Sequence, residues 1–162
     1  MENKPTRETT MNLSAHFSLA ELTKSQTALR QNIQNTPSAA EIKNLKAVCE
    51  NILEPVRSNY NNTPFSPTSG YRSKELNTAI GGSKTSQHMK GEAVDFELPG
   101  VSNFDLASWI ATNLEFDQLI LEFYTSGVPH SGWVHCSYKK SGGNRKQTLT
   151  INSVHRVVGL QK

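Results

Sequence analysis

Residues 86–98 read Ser-Gln-His-Met-Lys-Gly-Glu-Ala-Val-Asp-Phe-Glu-Leu, and a change of pattern inside this stretch sets the reading of the chain. Up to Gly91 the residues are polar and end on glycine, as in a loop. From Ala93 apolar and polar side chains alternate. In a strand that alternation puts Val94, Phe96 and Leu98 on one face and Asp95 on the other. The same period recurs downstream. In 119–123 (LILEF) Leu119, Leu121 and Phe123 oppose Glu122, and in 133–138 (WVHCSY) Val134, Cys136 and Tyr138 oppose His135. Three strands therefore each turn an apolar face to a core and one chemically capable side chain the other way. A further strand is expected over 147–151 (QTLTI).

Helices occupy the remainder. Ser18 with Glu21, Ser38 with Glu41, and Ser102 with Asp105 have capping-box spacing. Ile42, Leu45, Cys49, Ile52 and Val56 make one apolar stripe, which predicts a helix over 39–60 with a kink or early end at Pro55. Shorter helices are expected over 73–80, ending at Gly81-Gly82, and over 103–114. The expected fold is α+β: a single compact domain over 16–162, an antiparallel sheet with helices on one side, after a loosely ordered leader over 1–15.

The 162 residues suit one core, and 35% hydrophobic with 19% charged residues is an ordinary folded composition. No apolar run is long enough to span a bilayer. The formal charge of +3 is spread along the chain, so no nucleic-acid partner is expected. Cys49 and Cys136 form no CxxC pair and read as buried reduced thiols.

Imidazole and carboxylate are both zinc ligands, and a catalytic zinc site needs three of them and an open position. His88 and Asp95 supply two candidates and His135 a third. Glu122 is then placed to take a proton from water and pass it to a leaving amine. Taken alone, the His-x6-Asp spacing also suits a solvated loop histidine and a strand carboxylate paired with a surface cation.

The surroundings narrow this. Residues 86–95 match Ser-x-His-x-x-Gly-x-Ala-x-Asp, preceded by Ser69-Gly70-Tyr71-Arg72-Ser73 and followed by Trp133-Val134-His135. In these motifs, in their order, the chain resembles the M15 zinc peptidases. That family includes D-Ala-D-Ala carboxypeptidases and dipeptidases, and phage endolysins that cut L-alanyl-D-glutamate bonds. The resemblance implies the fold these peptidases share with the hedgehog signalling domain. It implies Zn2+ on His88, Asp95 and His135, with Arg72 stabilising charge near the scissile carbonyl. It also implies a peptidoglycan peptide as partner, with Ser86 and Gln87 shaping the metal loop beside the substrate. By position, His130 in the loop before 133–138, Trp133 on the His135 face and Tyr71 are further candidate substrate contacts, each weighed against a loop or packing role.

Many relatives place the catalytic acid three residues before the last histidine. Here that position is Gly132, so the role passes to Glu122, brought beside His135 by a hairpin; Glu92 and Asp117 are lesser candidates. Glu92 is expected to point to solvent and Asp117 to cap a turn. Carboxypeptidase and endopeptidase both remain open, as does a metal-containing binding module of the same fold. A monomer is expected. The N-terminal MENKPTRETTMNLS lacks the apolar segment of a secretory signal. Synthesis in the cytoplasm is therefore expected, with action at the cell wall or in the periplasm if the chain is of the phage type.

Overall fold

The computed structural model describes residues 11–162. Five strands form one sheet: β1 (Ala93–Phe96), β2 (Gln118–Glu122), β3 (Trp133–Ser137), β4 (Gln147–Ile151) and β5 (Arg156–Val158), in the order β1-β3-β2-β4-β5. The pairs β1–β3, β2–β3 and β4–β5 are antiparallel, whereas β2–β4 is parallel. The expectation of a wholly antiparallel sheet is corrected at that pair. β3 runs against β2 and ends beside β2's first residues, so the link over 138–146 lets β4 start there and run with β2. β5 was not anticipated: its three residues are too few to show a period, and all three are exposed.

The apolar faces read from the alternation are the core. Val94, Phe96, Leu119, Leu121, Val134 and Cys136 are all fully buried. Helix α6 (Asn103–Asn113) packs on β2 and β3, and α3 (Ala39–Val48) on β1. Phe123 departs from the pattern. Its φ of +55° turns the chain out of β2, and its ring lies exposed against Trp133 instead of in the core.

The helix predicted over 39–60 is continuous but built in three parts: α3, a π-helical segment (Cys49–Leu53) and α4 (Glu54–Asn59). Pro55 explains the middle part, since proline has no N–H to give and its ring crowds the carbonyl four residues back. The wider turn absorbs this, with the Glu54 N–H reaching Cys49 O. Ahead of it lie two short helices, α1 (Leu19–Thr23), with its capping box from Ser18 and Glu21, and α2 (Gln26–Gln31). Helix α5 (Lys74–Ala79) starts at a Ser73 cap.

The expected leader lies outside the described residues up to residue 10. Within its described part, Leu13 is in the core and the Ser14 hydroxyl donates to Glu54 Oε2; just beyond it, His16 Nδ1 meets Glu54 Oε1 at 2.7 Å. Cys49 and Cys136 are buried and unpaired in a disulfide. No helix among the described residues is long and apolar enough to cross a membrane.

Candidate metal centre and its cleft

The face of the sheet away from the core carries the polar residues. Register brings Asp95, His135 and Ile120 side by side across β1, β3 and β2, and one step along the strands Glu122 pairs with Trp133. Residues directly paired across strands share a face. Asp95, His135, Glu122 and Trp133 therefore all stand over the same surface, as the alternation and the expected hairpin require. His88 comes from outside the sheet, on a single 3-10 turn (Gln87–Lys90) capped by the Ser86 hydroxyl.

His88 Nε2 lies 3.3 Å from Asp95 Oδ2, and His135 Nδ1 lies 2.9 Å from Asp95 Oδ1. One donor atom from each of the three residues falls within 4.8 Å of the others. Three ligands each about 2.0–2.2 Å from a tetrahedral ion would stand about 3.3–3.6 Å apart. The trio is thus already close to the spacing zinc needs.

A second observation bears on what belongs between them. His88 Nδ1 is 2.7 Å from the carbonyl oxygen of Gly70. A carbonyl only accepts, so Nδ1 carries the hydrogen. Burial lowers the His88 pKa, more than Asp95 raises it, which favours the neutral ring. Nε2 then presents a lone pair to a carboxylate oxygen. Two acceptors in contact are stable only with a cation between them, and a divalent metal fits that description. Burial by itself would raise the Asp95 carboxyl, but the two imidazoles beside it hold it well below the usual carboxylate range. Two imidazoles and one ionised carboxylate are a zinc ligand set.

The trio lines a cleft of about 1010 Å3, together with Arg72, Ser86, Gln87, Glu122 and Trp133. Burial pushes the Glu122 carboxyl up and Asp95 adds to it, while His135, the Trp133 indole and Arg72 offset part of the rise. Arg72 is half-buried. Its pKa is lowered by burial and partly restored by Asp95 and Glu122, and one guanidinium nitrogen reaches the Ser86 hydroxyl at 3.3 Å. Arg72 Nε is a buried donor with no hydrogen-bond partner among the described residues, and such an orphan asks for a ligand that accepts, as a peptide carbonyl does.

The remaining expectations divide. Tyr71 belongs to the core and faces Glu41, not the cleft, which corrects its assignment as a substrate contact. His130 is exposed in the loop before β3 and is not among the residues lining the cleft. Glu92 is buried and not solvent-facing as expected. Asp117, also buried, holds Arg145 through both carboxylate oxygens, at 3.0 and 2.9 Å. Gly132 stands where relatives carry an acid, and here no larger residue fits. A Cβ there would meet the Glu122 carbonyl oxygen at 1.9 Å, at a φ of +65°.

One residue the sequence did not single out positions the site. Asn35 donates to the carbonyls of Thr23 and Tyr71 and accepts from the Ser73 N–H at 2.7 Å, so it clamps the loop that presents Gly70 and Arg72. A polar residue between helices carries no signal of that use.

A comparison with curated proteins gives no match. Residues 15–137, which span β1 to β3 and the whole metal trio, match the family model described as Peptidase M15, and the chain belongs to that metallopeptidase family.

Proposed function

We propose that this chain is a zinc-dependent peptidase that hydrolyses a peptide bond in peptidoglycan stem peptides, with His88, Asp95 and His135 as ligands. The observation that carries the reading is the convergence of His88 Nε2, the Asp95 carboxylate and His135 Nδ1 within 4.8 Å, in a cleft that also holds Glu122. Zinc, when bound there, supplies Lewis acidity for the scissile carbonyl and makes water a nucleophile near neutral pH. Glu122 takes the water's proton on its carboxylate and returns it to the departing amine. Its raised pKa makes it a better acceptor than an ordinary carboxylate. Arg72 faces the developing negative charge on the scissile oxygen with an Nε–H that nothing else engages. Ser86 holds both the His88 turn and the Arg72 guanidinium, and Gln87 lines the wall beside them.

Glu122→Gln tests the assignment. With purified peptidoglycan and zinc-loaded protein, kcat is expected to fall by about 10²–10⁴-fold while zinc content, measured by elemental analysis, stays at the wild-type level. Hydrolysis that survives the change removes Glu122 as the base. A zinc-loaded wild type that hydrolyses nothing favours a metal-holding binding module instead. Masses of the fragments released from defined muropeptides separate carboxypeptidase from endopeptidase cleavage.

A further inference from the structure

The family match ends at residue 137, but the sheet does not: β4 and β5 extend it, and Arg156 of β5 lines the cleft. Arg156 opens β5. The register runs Trp133–Glu122, Glu122–Ile151, Ile151–Arg156, so Arg156 stands in the same cross-strand row as Glu122 and on the same face. Two strand spacings put its backbone about 10 Å from that of Glu122. Its side chain lines the cleft that holds the metal trio.

Of the other cations lining the cleft, Arg145 and Lys139 both serve Asp117, at 2.9 and 3.7 Å, while Lys90, on the His88 turn and away from the Glu122 row, has no ion pair among the described residues. Arg72 sits in the field of Asp95 and Glu122. Arg156 has no acidic partner among the described residues. A guanidinium on a cleft wall without its own anion is suited to one that arrives with the ligand, and its planar donor pair matches a carboxylate. At about 3.3–3.6 Å per extended residue, a 10 Å offset shortened by the length of the arginine side chain places that group one or two residues from the bond being cut.

We infer that Arg156 is a specificity-determining residue that binds a substrate carboxylate one or two residues from the scissile bond. The inference rests on the peptidase reading of the cleft and goes beyond it. The segment after residue 137 then tunes this chain to an anionic peptide.

The probes are the stem pentapeptide L-alanyl-γ-D-glutamyl-L-lysyl-D-alanyl-D-alanine and two analogues, one with the glutamate α-carboxylate and one with the C-terminal carboxylate converted to the amide. For zinc-loaded wild type, one of the two amides is expected to show a KM about tenfold higher than the parent, with little change in kcat. Arg156→Ala should raise KM for the parent to the same level and erase the difference, and Arg156→Lys should restore part of it. Calorimetric titration of the same peptides into chelator-treated protein should show the same loss of preference. An unchanged preference in Arg156→Ala, or equal binding of all three peptides to the wild type, overturns the subsite. If the wild type hydrolyses none of them, the peptidase reading fails by itself, and the titrations still decide whether Arg156 selects the carboxylate.

Discussion

Asp117 shows how a single side chain serves the site without touching the chemistry. It is fully buried at the start of β2, and burial would raise its pKa, but Arg145 and Lys139 bring it down to about 2. A carboxylate whose folded pKa lies below its unfolded value of about 3.9 stabilises the fold at neutral pH. That stabilisation is present above the unfolded pKa and is lost as the pH falls towards the folded one. Asp117→Asn is therefore expected to cost about 1–2 kcal/mol at pH 7, the exposed arginine being screened by solvent. The gap between variant and wild type in urea unfolding should close between about pH 4 and pH 2. Among single residues, the proposed ligands and base were the most legible: His88, Asp95, Glu122 and His135 follow from motif and alternation. Tyr71 was not, because an SGYRS segment reads the same whether the ring turns inward or outward, and the packing of α1 and α3 decides it. Asp117 read only as a turn cap, since its partner Arg145 is far along the chain.

At the level of elements, the close meeting of β2 and β3 shapes the face that carries the cleft. The loop between them returns through Gly132 against the Glu122 carbonyl, and Asn103 at the start of α6 ties it down by donating to Ser131 O and Gly132 O at 3.0 and 3.1 Å. Gly132→Ala puts a methyl where backbone already is, at a positive φ. It is expected to cost about 2–4 kcal/mol in thermal or denaturant unfolding, and to lower activity by displacing Glu122. A variant as stable as the wild type would show that the loop yields without strain. Strands β1 to β3 were legible because the core-facing residues of each are buried and apolar, which imposes a two-residue period. The parallel entry of β4 and the existence of β5 were not, because pairing direction depends on where β3 ends and an exposed three-residue edge has no pattern. Pro55 foretold a disturbance in the long helix, but the sequence did not show that a π turn would absorb it and let the helix run on.

On the scale of the whole molecule, helices on one face of the sheet leave the other free, and that division holds four side chains of distant sequence position over one cleft. The fold class follows from the alternation and the helix signals. Part of the cleft lining, Lys139, Arg145 and Arg156, comes from residues 138–162, and its place there appears only once β4 pairs with β2. The central claim is that His88, Asp95 and His135 share one zinc ion. Anomalous diffraction at the zinc edge from crystals grown with zinc tests it most directly. A single strong peak about 2.0–2.2 Å from His88 Nε2, an Asp95 oxygen and His135 Nδ1 is the predicted result. No peak at that point, or zinc bound only elsewhere on the surface, would contradict it.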